Sequence, residues 1–233
     1  MSAADRLAAG DKEHEAMKAP AALAHYEAIV TADAKNYEAL WKAAREAVDV
    51  AEYMKEQKAR MALFQKAELY ARRAVEANKD DAEGHFHMAR ALGRTALTMG
   101  TKDRVRLAGD IRAHALEALK LNPSHPGALH VMGMWNAEIM RLNGVSRFMA
   151  KNFLGGQIFG SANWTDAVKY MEKSRDNDSA RIIHRLDLAR IYADVGNTVN
   201  ARAEYQNVIT MTATDFNDRQ YKAEAAAEMK KLK

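Results

Sequence analysis

The chain has no cysteine, which excludes disulfides and thiolate metal sites but selects no compartment. It has only three prolines and twelve glycines, little material for the turns that punctuate strands. Alanine, glutamate, lysine, arginine, leucine and methionine abound instead, and these helix formers predict an all-α class. No apolar run approaches the ~18 residues that a membrane span needs, and the opening Met1-Ser2-Ala3-Ala4-Asp5 has no signal-peptide core. The expectation is a soluble protein without a transmembrane segment, cytoplasmic, or periplasmic if a leader was removed. Neither sign of charge dominates: 35 basic against 31 acidic groups leave a net +4. A phosphate-binding surface needs a clustered excess, so nucleic acid is not an expected partner. Serines are few and none stands in a nucleophile-elbow context, so no enzyme is expected.

What is present is a repeat. Leu186 to Asn197, followed by Ala201, Tyr205 and Val208, sets small and large residues at the steps of a tetratricopeptide (TPR) helix–turn–helix unit. The small positions let two helices approach closely, and one such unit cannot bury its apolar face alone. The steps of four, three and five in Ala201-Tyr205-Val208-Ala213 recur at Ala22-Tyr26-Ile29-Ala34 and at Ala67-Ala71-Ala74-Lys79. They recur again at Ile111-Ala115-Ala118-Pro123 and at Ala167-Met171-Ser174-Ser179. First helices carry their small residue at Ala44, Ala89, Gly133 and Ala189. The expected fold is an all-α, TPR-like right-handed superhelix of about five helix pairs plus a C-terminal capping helix, one domain over 1–233. Its repeats run about 3–36, 37–81, 82–125, 126–180 and 182–215, with the capping helix at 217–231. Extra residues between the helices of the second and third repeats amount to about three helical turns, which predicts long hairpins with helices near 37–54, 59–78, 82–99 and 104–121.

With the repeats placed, the chain resembles the regulator of microtubule dynamics family. The similarity rests on Ala39-Leu40-Trp41-Lys42-Ala43-Ala44-Arg45 with Asp49, on Tyr70-Ala71 and Ala74, and on Leu121-Asn122-Pro123. It continues through His130-Val131-Met132-Gly133-Met134-Trp135, Arg147, Ala150-Lys151 and Thr165-Asp166-Ala167-Val168, with a long insertion after Trp135. The resemblance covers roughly 37–230. It implies a non-catalytic binding domain, of a kind associated in eukaryotic members with microtubules, organelle contact sites and lipid. The alanine-rich, cysteine-free composition reads as that of a bacterial relative, and the membrane anchor and coiled coil of some members are not expected in it.

Solenoids of this kind bind on the concave face lined by first helices. Counted from the repeat starts, positions 5, 9 and 13 face inward: Trp41, Arg45, Asp49; Phe86, Arg90, Arg94; His130, Met134, Glu138; Leu186, Arg190, Asp194. The candidate groove residues are therefore Trp41, Arg45, Phe86, Arg90, Arg94, His130, Met134 and Arg190. A large residue one turn before an arginine suits an acidic or amphipathic segment of a partner protein, held by forked guanidinium donors. The bland alternative is pairing within each helix, Arg45 with Asp49 and Arg190 with Asp194, which leaves only Arg90 and Arg94 without an acid at that spacing.

The insertion at 145–163 carries Phe148, Met149, Phe153, Leu154 and Phe159. These residues form either the lid or apolar wall of a site for a lipid or other hydrophobic anion, or simply core that fills a gap between repeats. The competing functions are thus a scaffold with an open groove and a carrier with an enclosed pocket. No cofactor or metal is expected. His85 and His87 point about 200° apart on a helix and cannot share an ion, and neither His125 nor His130 has a histidine or acidic partner at useful spacing. Gly155-Gly156-x-x-x-Gly160-Ser161 lacks the Lys-Ser/Thr of a phosphate loop.

Overall fold

Helix starts in this chain are set by side chains that accept a backbone N–H. Asn36, Asp81, Asn163 and Asn197 each cap a first turn in this way, and Ser2 with Asp5 forms a reciprocal capping box. His125 does the same through Nδ1, accepting from Ala128 N at 3.2 Å. Pro20 and Pro126 stand in first turns, where a missing N–H costs nothing. The computed structural model describes residues 1–143 and 158–232. Among them are eleven α-helices and no strand.

The chain divides into two compact units, Met1–Asn122 and Pro123–Lys233. The first contains α1 (Ala3–Glu15), α2 (Ala19–Ala32), α3 (Tyr37–Glu52), α4 (Gln57–Ala77), α5 (Ala82–Leu97) and α6 (Thr101–Leu121). The second contains α7 (Pro126–Arg141), a 3-10 turn (Ile158–Ser161), α8 (Trp164–Asn177), α9 (Ile182–Asp194), α10 (Thr198–Thr210) and α11 (Asp218–Met229). Second helices α4 and α6 have 21 residues each, against 14 in α2 and 13 in α10, so the central hairpins are long. Both long second helices begin two or three residues earlier than the periodicity predicts. Glu56 caps the start of α4 by accepting from Lys58 N and Ala59 N, and α6 starts directly after Gly100.

The small positions do the packing. Ala22, Ala67, Ala71, Ala74, Ala115, Ala118, Ala167 and Ala201 are all buried, with Tyr26, Met171, Tyr205 and Val208 filling the space between them. At two glycines a neighbouring side chain fills the space that a Cβ would take. A Cβ on Gly10 would lie 2.5 Å from the Tyr26 ring, and one on Gly133 would lie 2.4 Å from Met171 Cγ. Such closeness is possible only without a side chain, which gives these two positions their reason. The α9–α10 turn uses Gly196 at φ 76, a left-handed conformation that glycine adopts without strain.

Among the described residues, no helix is long and apolar enough to cross a membrane.

Candidate functional site

In the first unit the first helices α1, α3 and α5 carry a ring row and a charge network. Trp41 of α3 stacks on His87 of α5, with ring centroids 5.5 Å apart and planes 9° apart. Phe86 lies against the same imidazole at 4.6 Å. Trp41 and Phe86 are half-buried, so each keeps part of its ring at the surface. The Arg45 guanidinium sits 5.4 Å from the centre of the Trp41 ring and Lys42 Nζ at 5.5 Å, a favourable placement of cations on an aromatic. Burial pushes the pKa of His87 down to about 4, so the stacked imidazole is neutral near pH 7.

The arginines have partners that helix spacing alone does not reveal. Arg45 donates through Nε to Glu46 at 2.7 Å, and Glu46 also meets His14 of α1 at 2.9 Å. Arg90 donates to Asp49, across 41 residues, and Arg94 pairs with Glu52 at 2.9 Å. Arg90 and Arg94 have no acid at i, i+4 on their own helix, as the spacing shows. Their carboxylates come from the neighbouring first helix, α3. Lys42 is likewise held between Asp11 of α1 at 2.7 Å and Glu38 at 2.7 Å.

In the second unit, His130 of α7 meets Asp187 of α9, with Nε2 and Oδ2 2.8 Å apart, and packs on His184 at 5.1 Å. His130 thus has both an acidic and a histidine partner, which sequence spacing does not reveal because they lie on another repeat. Burial, followed by His130, holds the His184 pKa well below the usual range. Arg190 donates Nη1 to Asp187 at 2.9 Å, Nε to Glu228 at 2.9 Å and Nη2 to Glu224 at 2.7 Å. Burial opposes the Arg190 charge, yet those hydrogen bonds, Glu228 first among them, keep its pKa above the usual range. The partner expected within the helix, Asp194, takes Arg141 instead, at 2.6 Å. Met134 is half-buried on α7, whereas Leu186 is 0% exposed and is core, not groove.

Of the insertion residues, Phe148, Met149, Phe153 and Leu154 lie outside the described residues. Phe159 is 3% exposed and stacks on Trp135 with centroids 6.4 Å apart and planes 15° apart. Among the described residues there is no group of three or more histidines, aspartates or glutamates placed to hold a metal ion.

The sequence pattern of the family described as Regulator of microtubule dynamics protein 1-3 matches residues 1–233. The chain belongs to that family. Regulator of microtubule dynamics protein 1 of Mus musculus is 26% identical over 147 residues, which is 63% of this chain and 48% of the mouse protein. The Bos taurus protein of the same name is 29% identical over 121 residues, 51% of this chain and 38% of that protein. The chain thus spans about half the length, or less, of these curated relatives. Among solved structures, a thermophilic TPR protein of Thermus thermophilus matches with a TM-score of 0.67 at 16% identity, covering 97% of this chain and 100% of that one. PilF of Pseudomonas aeruginosa matches with a TM-score of 0.51 at 15% identity, covering 99% and 91%. These likenesses establish a TPR-like fold.

Proposed function

We propose that this chain is a non-catalytic scaffold that holds an amphipathic segment of a partner protein against its first-helix faces. The observation that carries the reading is the row Trp41–His87–Phe86, three rings in sequence on two adjacent helices, with Trp41 and Phe86 still partly at the surface. Large rings that keep apolar area exposed beside fixed charges are what binding hot spots are built from. Arg45, Arg90 and Arg94 serve as oriented donors. Their carboxylate partners hold each guanidinium in place before a ligand arrives, which lowers the entropy lost on binding. Acidic groups of a partner must share arginines that are already paired, so the apolar contacts on Trp41 and Phe86 supply most of the affinity. His130, Met134 and Arg190 offer a second, smaller contact area on the other unit, where Arg190 is already held by Glu228, Glu224 and Asp187.

The scaffold reading is favoured over a carrier of lipid or another hydrophobic anion by Phe159. Among the described residues it is the one proposed wall residue, and it is buried against Trp135. The test is selection of displayed peptides on the purified protein, with Trp41→Ala/Phe86→Ala as the counter-selection target. Peptides with bulky apolar residues at a recurrent spacing, weakened at least tenfold by that double substitution, are the expected outcome. Peptides that bind parent and variant alike refute the face. A co-purifying acyl-chain species near one per chain in native mass spectrometry refutes the scaffold in favour of the carrier.

A further inference from the structure

The second helices of the central repeats are longer than a repeat needs. Counted from the equivalent positions Ala22, Ala67 and Ile111, helices α2, α4 and α6 all end ten residues later, but they begin three, ten and ten residues earlier. The first repeat packs with the short form, so the extra turns of α4 and α6, roughly 10 Å of helix each, carry the hairpin tips outward. The two tips stand side by side, because Glu52 at the end of α3 pairs with Arg94 near the end of α5 at 2.9 Å.

These tips hold the whole net charge of the chain. Residues 53–61 and 97–106 contain Lys55, Lys58, Arg60, Lys102, Arg104 and Arg106 against only Glu56 and Asp103. That is six of 35 basic and two of 31 acidic residues, and the remaining 29 of each sign cancel. On the first-helix face Lys42, Arg45, Arg90 and Arg94 are each held by a carboxylate. Among the described residues, by contrast, Lys55, Lys58, Arg60 and Lys102 form no ion pair, and Arg106 reaches Asp103 only at 3.9 Å. Lys55, Lys58, Lys102 and Arg106 are exposed, as is Leu97, and Met54, Met61 and Met99 are half-buried on the same tips.

We propose that the paired tips of the α3–α4 and α5–α6 hairpins dock an acidic segment of a partner protein, one with apolar residues between its acids. The exposed cations draw the segment in and set its register, and Leu97 with the adaptable methionines takes its apolar side chains. Duplex nucleic acid fits less well, since its binding rests on many phosphate contacts and the excess here is four charges. A bilayer also fits less well, since it is entered by large apolar side chains, and among the described residues Leu97 is the one exposed at either tip. The surface is separate from the ring row: Trp41 and Phe86 stand eleven residues before Glu52 and Leu97, roughly 16 Å along α3 and α5.

The test selects peptides from a displayed random library on the full chain and compares their affinities for two variants. One is Lys55→Glu/Lys58→Glu/Lys102→Glu/Arg106→Glu, the other Trp41→Ala/Phe86→Ala. The charge reversals replace exposed side chains. Those at Lys58 and Lys102 put acids in the first turns of α4 and α6, where the helix dipole favours them, so the variant is expected to melt no lower than the parent. The parent should yield peptides rich in Asp and Glu with apolar residues between them. These should bind the charge-reversed protein about tenfold or more weakly, bind Trp41→Ala/Phe86→Ala unchanged, and weaken as salt rises. Acidic peptides that bind the charge-reversed protein as tightly as the parent overturn the proposal, as does a parent selection without acidic enrichment. Acidic peptides lost instead from Trp41→Ala/Phe86→Ala lie on the ring row, which overturns it equally. So does binding of phosphatidylserine vesicles or duplex DNA that is tighter than that of the selected peptides and is abolished by the same reversals.

Discussion

Gly133→Ala tests whether the close α7–α8 approach is set by the absence of a side chain. The new Cβ lies 2.4 Å from Met171 Cγ, 2.6 Å from its sulfur and 3.3 Å from the Ala167 carbonyl oxygen. Met171 is fully buried, so it has nowhere to swing, and the backbone oxygen cannot yield. Overpacking of this kind costs about 1–3 kcal/mol, while replacing a mid-helix glycine by alanine returns about 0.8–1 kcal/mol. The net expectation is a loss of up to about 2 kcal/mol, or a fall of about 2–4 °C for each kcal/mol in a chain of this size. Met171→Ala alone leaves a cavity and costs about 2–5 kcal/mol. In that background only the 3.3 Å approach to the Ala167 carbonyl remains, so Gly133→Ala should lose its penalty and stabilise by up to about 1 kcal/mol. The four proteins of this cycle are compared by urea unfolding, monitored by far-UV circular dichroism. If Gly133→Ala has the same effect with and without the Met171 side chain, the two positions are not coupled and the reasoning is wrong.

The remaining predictions concern charge, pH and the insertion. His87 is neutral in the fold, with its pKa pushed by burial from 6.5 to about 4, so the unfolded chain binds the extra proton first. Its contribution, about 3 kcal/mol at most, is present above pH 6.5 and is lost as pH falls towards 4. His87→Phe keeps a ring under Trp41 and should flatten the stability–pH curve in that window without abolishing the slope, because His184 is lowered in the same direction; an unchanged slope disproves the assignment. Phe159→Ala should cost about 3–5 kcal/mol, since the ring is buried on Trp135, and a cost near zero would restore the lid reading for this residue. Glu52→Arg should destabilise the first unit by setting like charges together, and Glu52→Arg/Arg94→Glu should recover most of the loss, to within about 0.5 kcal/mol.

That last recovery is expected because the second unit already contains the swapped pair. On the repeat ruler, Glu52 and Arg94 occupy positions 16 and 13 of adjacent repeats, and so do Arg141 and Asp194, with the signs exchanged. A second register recurs as well: position 5 of one repeat meets position 6 of the next, in Trp41 on His87 and in His130 on Asp187. These registers explain which parts of the molecule the sequence discloses. The small residues are legible because helix pairing within a repeat depends on a local period, and Ala67, Ala71 and Ala74 declare it within two turns. The partners of Arg90 and His130 are not legible from i, i+4 spacing, because they stand 41 and 57 residues away, on a different first helix. Their separation depends on the length of the intervening hairpin, which the insertions vary from one repeat to the next. Counting by repeat position removes that variable: place the first helices side by side, and Asp49 at position 13 falls opposite Arg90 at position 9 of the next repeat. Charges that look available on one helix are therefore the means by which adjacent first helices hold their register.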